Sequence, residues 1–309
     1  MSTSALARTL APLRNTTARS ALAFSALRGV ATKAEKTAFP FVPMNALEKK
    51  PRSTGLTEIR GPYYSVMGPR YLQDIFDTFG EYVDGVKYAG GSFTLQDQDS
   101  LKKMINIAHD NGAYVSTGGF LERLLSSSPA DKDLVEKYLR TCKQLGFDVL
   151  EISTGFVSIP ERDWQNLVQL VASHGLKPKP EIGIAFGAGG GESEELDAPV
   201  RDPSWVVSRG RALLDAGADK LMIESEGITE NVKSWRTDVI SKIEDGLPSD
   251  KVMYEAADPA VFSYYIQNFG ADVNVFIDHS QIVQLAALRR GIWGTNSTFG
   301  RIVTFPHSV

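Results

Sequence analysis

Cysteine, histidine and long apolar runs are all scarce in this chain, and each scarcity closes off a class of function. Cys142 is the single cysteine in 309 residues, so no intramolecular disulfide can form. Its surroundings, Tyr138-Leu-Arg-Thr-Cys-Lys-Gln-Leu145, read as a helix, where a cysteine serves as a small packing residue rather than a nucleophile. The four histidines are scattered. His109 and His174 fall in predicted helices, His307 falls in the tail and His279 alone stands at a strand end, so a histidine metal cluster is excluded. No uninterrupted apolar run approaches the ~18 residues of a membrane span, and no membrane partner is expected.

Acids are absent before Glu35, while Arg8, Arg14, Arg19, Arg28 and Lys33 punctuate a Ser-, Thr- and Ala-rich leader. Leu6, Leu10 and Leu13 recur at helical spacing between the arginines, the amphipathic pattern of a mitochondrial presequence. Residues 1–34 are therefore read as a transit peptide cleaved near Ala31, and the protein as resident in the matrix. Removing those five cations leaves about 28 against 37 acids. A balance near −9 makes nucleic acid a poor partner.

Past the leader, residues 35–57 carry Pro40, Pro43, Pro51 and Gly55 and read as an extended lead-in. From 58 to 300 the chain alternates strands and helices, and 301–309 form a tail. Strand one is assigned to Tyr63–Met67, with a helix after Gly68-Pro69. Later strands lie in 84–91, 113–119, 146–155, 179–186 and the runs ending at Glu224, Glu255 and Asp278. The intervening helices cover about 97–111, 131–145, Pro160 to Gly175, 203–216, 232–244, the stretch after Asp258-Pro259, and Ser280 to Arg290. Asp202-Pro203 and Asp258-Pro259 each supply an N-cap and a first-turn proline. Eight such units predict a single (β/α)8 TIM barrel with an N-terminal extension rather than an open sheet.

The strand ends carry the chemistry. A parallel strand buried on both faces should be apolar, so an acid near its C-terminal end is out of place unless it faces a site. Glu151 closes Gly146-Phe-Asp-Val-Leu-Glu-Ile-Ser-Thr-Gly155 in that way, and Glu181, Glu224, Glu255 and Asp278 repeat it. Carboxylates gathered at one barrel mouth repel each other, bridge to nearby cations or hold a cation, and an all-oxygen site suits Mg2+. Lys87 is a cation inside the apolar run Gly85-Val-Lys-Tyr-Ala and must be paired, reach solvent or face a polar cavity. Gly90-Gly91-Ser92 and Thr117-Gly118-Gly119 offer backbone N–H groups and hydroxyls to an anion, though glycine pairs also serve as plain turns. Gly187-Ala-Gly-Gly-Gly191 lacks the GK[ST] ending of a phosphate loop and is followed by Glu192, Glu194, Glu195 and Asp197, so it is read as a lid or an insertion.

Val83-Asp-Gly-Val-Lys87-Tyr, Thr117-Gly118-Gly119-Phe-Leu-Glu122, Leu145-Gly-Phe-Asp-Val-Leu-Glu151-Ile-Ser153, Pro180-Glu181-Ile-Gly183 and Val252-Met-Tyr-Glu255-Ala256 resemble the phosphosulfolactate synthase (ComA) family over about residues 57–300. Thr57-Glu-Ile-Arg60 and Asp278-His-Ser-Gln-Ile282 are similar to its plant heat-stress-associated branch. The resemblance implies a barrel that adds sulfite, or a related nucleophile, to phosphoenolpyruvate or a similar small anion with Mg2+. It implies catalytic roles for Lys87, Glu151 and Glu181. Substrate contacts are expected from Arg60, Gly91, Ser92, Thr117, Gly118, Ser153 and His279, and metal ligation from Glu151, Glu181, Glu224 and Glu255. Three departures stand out: Ile184 replaces the strand-five lysine of the archaeal pattern, Glu224-Ser-Glu-Gly227 lacks its arginine, and Met67-Gly68 stands where the pattern has an Asp-Lys pair after strand one. They leave open the alternative of a diverged barrel acting in stress tolerance without the archaeal activity. A homo-oligomer is compatible with the sequence, which does not specify the state.

Overall fold

The structure, a computed structural model, describes residues 37–127, 132–184 and 202–292, together with Ile302. The chain divides into two units, Met1–Val42 and Pro43–Val309, and the elements below belong to the second. The leader 1–34 and the Gly187–Gly191 loop lie outside the described residues.

In chain order the elements are β1 (Thr57–Arg60), α1 (Pro69–Phe79), β2 (Gly85–Lys87), α2 (Gln98–Asp110), β3 (Tyr114–Ser116), α3 (Leu121–Ser127), α4 (Lys132–Leu145), β4 (Val149–Ile152) and α5 (Glu161–Ser173). They continue as β5 (Lys177–Ile182), α6 (Pro203–Asp215), β6 (Leu221–Ile223), α7 (Thr237–Gly246), β7 (Val252–Glu255), α8 (Pro259–Phe269), β8 (Asn274–Asp278) and α9 (Ile282–Arg289). Neighbouring strands pair in parallel in sequence order, and β8 pairs back onto β1, closing a (β/α)8 barrel. Asp202 and Asp258 cap α6 and α8 as expected, each carboxylate accepting a first-turn N–H.

The period-two alternation of the strands separates two interiors. Ile59, Val86, Val115, Leu150, Ile182, Ile223, Val275 and Ile277 point outward into the layer beneath the helices. Helix α5 shows how that layer is sealed. Trp164, Leu167, Val168 and Val171 recur on one face and are buried, and His174 and Gly175 end the helix, Gly175 at φ +72°. Truncating Trp164 to alanine would cost roughly 3–5 kcal/mol in lost burial and cavity. Inside the barrel, Leu56, Met222, Met253 and Phe276 form a small separate apolar cluster. Most of the remaining lumen is polar.

Below the barrel, the lead-in is tied down through Arg52, whose guanidinium donates to Asp84 at 2.8 Å and to the Glu81 carbonyl at 2.6 Å. The other Asp84 oxygen accepts the N–H of Thr57, so the same carboxylate anchors the start of β1.

Strand one is the principal correction. Tyr63–Met67 is not a strand; Tyr63 and Tyr64 lie in an exposed loop and Val66 is 94% exposed. The strand is Thr57–Arg60, which carries two charges in four residues because Glu58 and Arg60 face a polar lumen. That charge hid it from an apolar pattern. Smaller differences lie in element bounds: β5 spans Lys177–Ile182 rather than 179–186, α7 starts at Thr237 rather than near 232, and α3 fills part of what reads as a loop between Gly119 and residue 131.

Candidate functional site

The lumen side chains rise in register toward the C-terminal ends of the strands. Pairing sets Arg60 beside Lys87 and beside Asp278, Glu151 beside Lys179, and Glu255 beside Phe276. Above them opens a cavity of about 920 Å3, lined by Arg60, Lys87, Glu151, Ser153, Glu181, Glu224 and Glu255, with Tyr63, Tyr64 and Phe156 at its rim. A mouth at this end of the barrel, built from strand ends and the loops that follow, is where the fold places ligands.

At its floor, the Lys87 ammonium lies 2.8 Å from Glu151 Oε1, 3.7 Å from Glu181 Oε1 and 4.4 Å from the Phe276 ring centre. Burial alone would lower the Lys87 pKa, but Glu151, then Glu181 and Glu255, hold it well above its usual value. Burial likewise pushes Glu151 upward, and Lys87 with Lys179 outweighs it, leaving Glu151 below the ordinary carboxylate range. Lys87 and Glu151 are therefore a charged pair.

Glu181, Glu224 and Glu255 present one oxygen each within 4.8 Å of one another. Burial, reinforced by Glu151, raises Glu181 to about 7, while burial and the charges of Glu255 and Glu181 push Glu224 well above its usual value. Like charges this close repel, and a shared proton or cation relieves the repulsion. The Ser153 hydroxyl donates to Glu181 Oε2 and steadies it. Among the described residues this trio is the group spaced to share an ion; Glu151 is instead engaged by Lys87 at one oxygen and lies 3.3 Å from Lys179 at the other.

Arg60 sits at the side of the mouth, 3.6 Å from both Glu255 and Asp278, its guanidinium 4.9 Å from the Tyr64 ring centre and 5.2 Å from that of Phe276. His279 lies behind it, its Nδ1 3.1 Å from the Arg60 carbonyl, a pairing in which the ring N–H donates. Gly91, Ser92, Thr117 and Gly118 fall outside the cavity lining. The Ser92 hydroxyl donates to the Pro62 carbonyl and the Thr117 hydroxyl to the Gly118 carbonyl. Gly118 holds φ +61°, and a Cβ there would lie 2.9 Å from the Tyr88 carbonyl oxygen, so that glycine is a close-approach device. Cys142 is buried, its thiol pushed up to about 12, as befits a packing residue.

Three charged residues of the site escape a reading by strand ends. Lys179 and Glu58 lie a layer deeper, 2% and 0% exposed, and meet at 2.5 Å. The period-two run Lys177-Pro-Lys179-Pro-Glu181 carried the signal for Lys179, since it shares the face of Glu181. Glu122 on α3 is buried and accepts the N–H groups of Phe156 and Val157, fixing the loop after β4; burial raises its pKa against the backbone donors of Phe156, Val157 and Gly155.

The comparisons with known proteins agree with this architecture. The sequence model of the family described as (2R)-phospho-3-sulfolactate synthase (ComA) matches residues 45–295. Protein HEAT-STRESS-ASSOCIATED 32 of Arabidopsis thaliana is 37% identical over 254 residues, covering 78% of this chain and 87% of that protein. Phosphosulfolactate synthase of Methanothermobacter thermautotrophicus is 28% identical over 260 residues, covering 82% and 94%. Among solved structures, the carboxyl transferase domain from Rhizobium etli pyruvate carboxylase with pyruvate and biocytin superposes at a TM-score of 0.54 and 10% identity. The match covers 82% of this chain but only 45% of that one, and the likeness is of fold alone.

Proposed function

Because the chain belongs to the (2R)-phospho-3-sulfolactate synthase family, we propose that its mouth performs lyase chemistry of that type, a Mg2+-dependent addition of sulfite or a related nucleophile to phosphoenolpyruvate or a similar small anion. The observation that carries this reading is the Glu181, Glu224 and Glu255 trio lying directly beside the charged Lys87.

The donor set fits a hard divalent ion. All three ligands are carboxylate oxygens of half-buried residues at the mouth, and the raised pKa values of Glu181 and Glu224 mark a surplus of negative charge that an ion would relieve. Such an ion, held by Glu181, Glu224 and Glu255, would supply charge stabilisation for the substrate oxygens. The chain's own residues do the rest. Lys87, kept protonated by Glu151, attracts the carboxylate or phosphate of the substrate and orients it at the floor of the cavity. When a nucleophile bonds to C3, the electron pair of the C2=C3 bond moves to C2 and its carboxylate, where the Lys87 ammonium balances the charge that develops, and a proton from solvent then completes the addition at C2. Arg60 balances Glu255 and Asp278, and the Tyr64 ring lies against its guanidinium.

A second reading, a diverged barrel that acts in stress tolerance without this reaction, is favoured by Ile184, buried just past β5 where the resemblance implies a lysine, and by the Arabidopsis relative. One experiment separates the two: incubation of the purified protein with phosphoenolpyruvate, sulfite and Mg2+, followed by 31P NMR. Loss of phosphoenolpyruvate that needs both sulfite and Mg2+ supports the first reading. Binding of phosphoenolpyruvate without turnover favours the second, and no binding at millimolar ligand sinks the first.

A further inference from the structure

The polar interior runs a layer deeper than the reaction requires. Glu58, Lys179, Glu151 and Lys87 are 0%, 2%, 1% and 4% exposed. They occupy the part of a barrel that bulky branched side chains ordinarily fill. Each ion taken from water costs several kcal/mol before pairing, and exchanging buried pairs for apolar residues is often neutral or stabilising. Stability therefore gives no reason to keep four of them.

Their contacts form a single line. Glu58 Oε2 lies 2.5 Å from Lys179 Nζ, Lys179 Nζ lies 3.3 Å from Glu151 Oε2, Glu151 Oε1 lies 2.8 Å from Lys87 Nζ, and Lys87 Nζ lies 3.7 Å from Glu181 Oε1. Charge alternates at every step, the first four groups sum to zero, and the last cation is the one at the mouth. The line also crosses the lumen, since Glu58 is on β1 and Lys179 on β5, strands that are not neighbours. A lysine is a compact charge on a flexible stem. With Glu181, Glu224 and Glu255 nearby, an untethered Lys87 would swing into the trio and neutralise it.

We infer that Lys179, seated on Glu58, is a positioning residue: it fixes the Glu151 carboxylate, which in turn holds the Lys87 ammonium at one point beside the acid trio instead of within it. The inference rests on the reading of Lys87 as the group that meets the substrate.

The test uses the full chain and two variants, Glu58→Gln, which keeps size and both lysines, and Glu58→Gln/Lys179→Met, which removes one charge of each sign. The first readout is the ammonium correlation of Lys87 in 1H–15N spectra, assigned by its loss in Lys87→Met; the second is calorimetric affinity for phosphoenolpyruvate with Mg2+. A pinned, buried ammonium should be visible in the wild type, and its hydrogen exchange should accelerate by about tenfold or more in the double variant and in the same direction in Glu58→Gln. Affinity should fall by about tenfold in the double variant, the scale of one charge-assisted contact. Folded variants with unchanged exchange at Lys87 and unchanged affinity overturn the inference, as does a wild type whose Lys87 correlation is already lost to fast exchange. If the wild type binds no phosphoenolpyruvate, the functional reading fails while the exchange measurement still decides the positioning role. If the double variant does not fold, the isosteric Glu58→Gln decides by the same two readouts.

Discussion

Replacing Lys87 by methionine is the sharpest perturbation of this barrel, because methionine keeps most of the stem's volume and deletes the ammonium, with its ion pairs and its contact to the Phe276 ring. Glu151, 1% exposed, would go from two cations to one, keeping Lys179 at 3.3 Å. Glu181 would keep the Ser153 hydroxyl but lose its nearest cation. Breaking a buried pair by removing one partner costs roughly 3–5 kcal/mol. With Lys179 still in place the lower end applies, about 3 kcal/mol. For a barrel of this size each kcal/mol moves the melting temperature by roughly 2 °C, so Lys87→Met should melt about 6 °C below the wild type. The companion variant Lys87→Met/Glu151→Gln removes the stranded Glu151 carboxylate, and its repulsion of Glu181, and should recover most of that loss. Urea titration of the wild type and the two variants in parallel measures this directly. A single variant within about 0.5 kcal/mol of wild type, or a double variant that loses the sum of both changes, would refute a charged, buried Lys87–Glu151 pair.

Three further outcomes are expected. Glu181 titrates near 7 in the folded protein against 4.5 for an ordinary glutamate, so the stability it contributes is present below about pH 4.5 and lost as pH rises through about 7. At about 1.4 kcal/mol per unit this amounts to about 3 kcal/mol. Glu151, shifted the other way, loses its contribution only at pH values below that window. Metal-free protein should therefore melt lower at pH 8 than at pH 5, and millimolar Mg2+ should raise the melting temperature more at pH 8 than at pH 6; a larger Mg2+ effect at low pH would count against the trio as ligands. Arg52→Ala should destabilise by about 3 kcal/mol in chemical denaturation, since it strands the buried Asp84 that anchors β1, and a change below about 1 kcal/mol would show the lead-in to be dispensable. Sequencing the N-terminus of protein isolated from mitochondria should find a start between Ala31 and Lys33, and an intact residue 2 would sink the matrix assignment.

What the sequence determined by itself was local. The alternation of strands and helices, the caps at Asp202 and Asp258, the inward face of α5 and the acids closing β4, β5, β7 and β8 are all written in neighbouring residues. Periodicities of 2 and 3.6 residues, turn chemistry and misplaced charges need no distant partner to be read. The same locality made Tyr63–Met67 look like strand one, because an apolar run resembles a buried strand whether or not anything covers it. Only the closed barrel decided that Thr57–Arg60, with its two charges, is the strand, since those charges are tolerable only where Lys179, Glu255 and Asp278 arrive from other strands to meet them. Closure likewise sorted the carboxylates. Glu151, Glu181, Glu224 and Glu255 look alike along the chain, yet register and the reach of two lysines place Glu151 in an ion pair and leave the other three to share one space. Pair energies fall with distance across the lumen, and that distance is set by eight strands closing in register, which no single segment encodes.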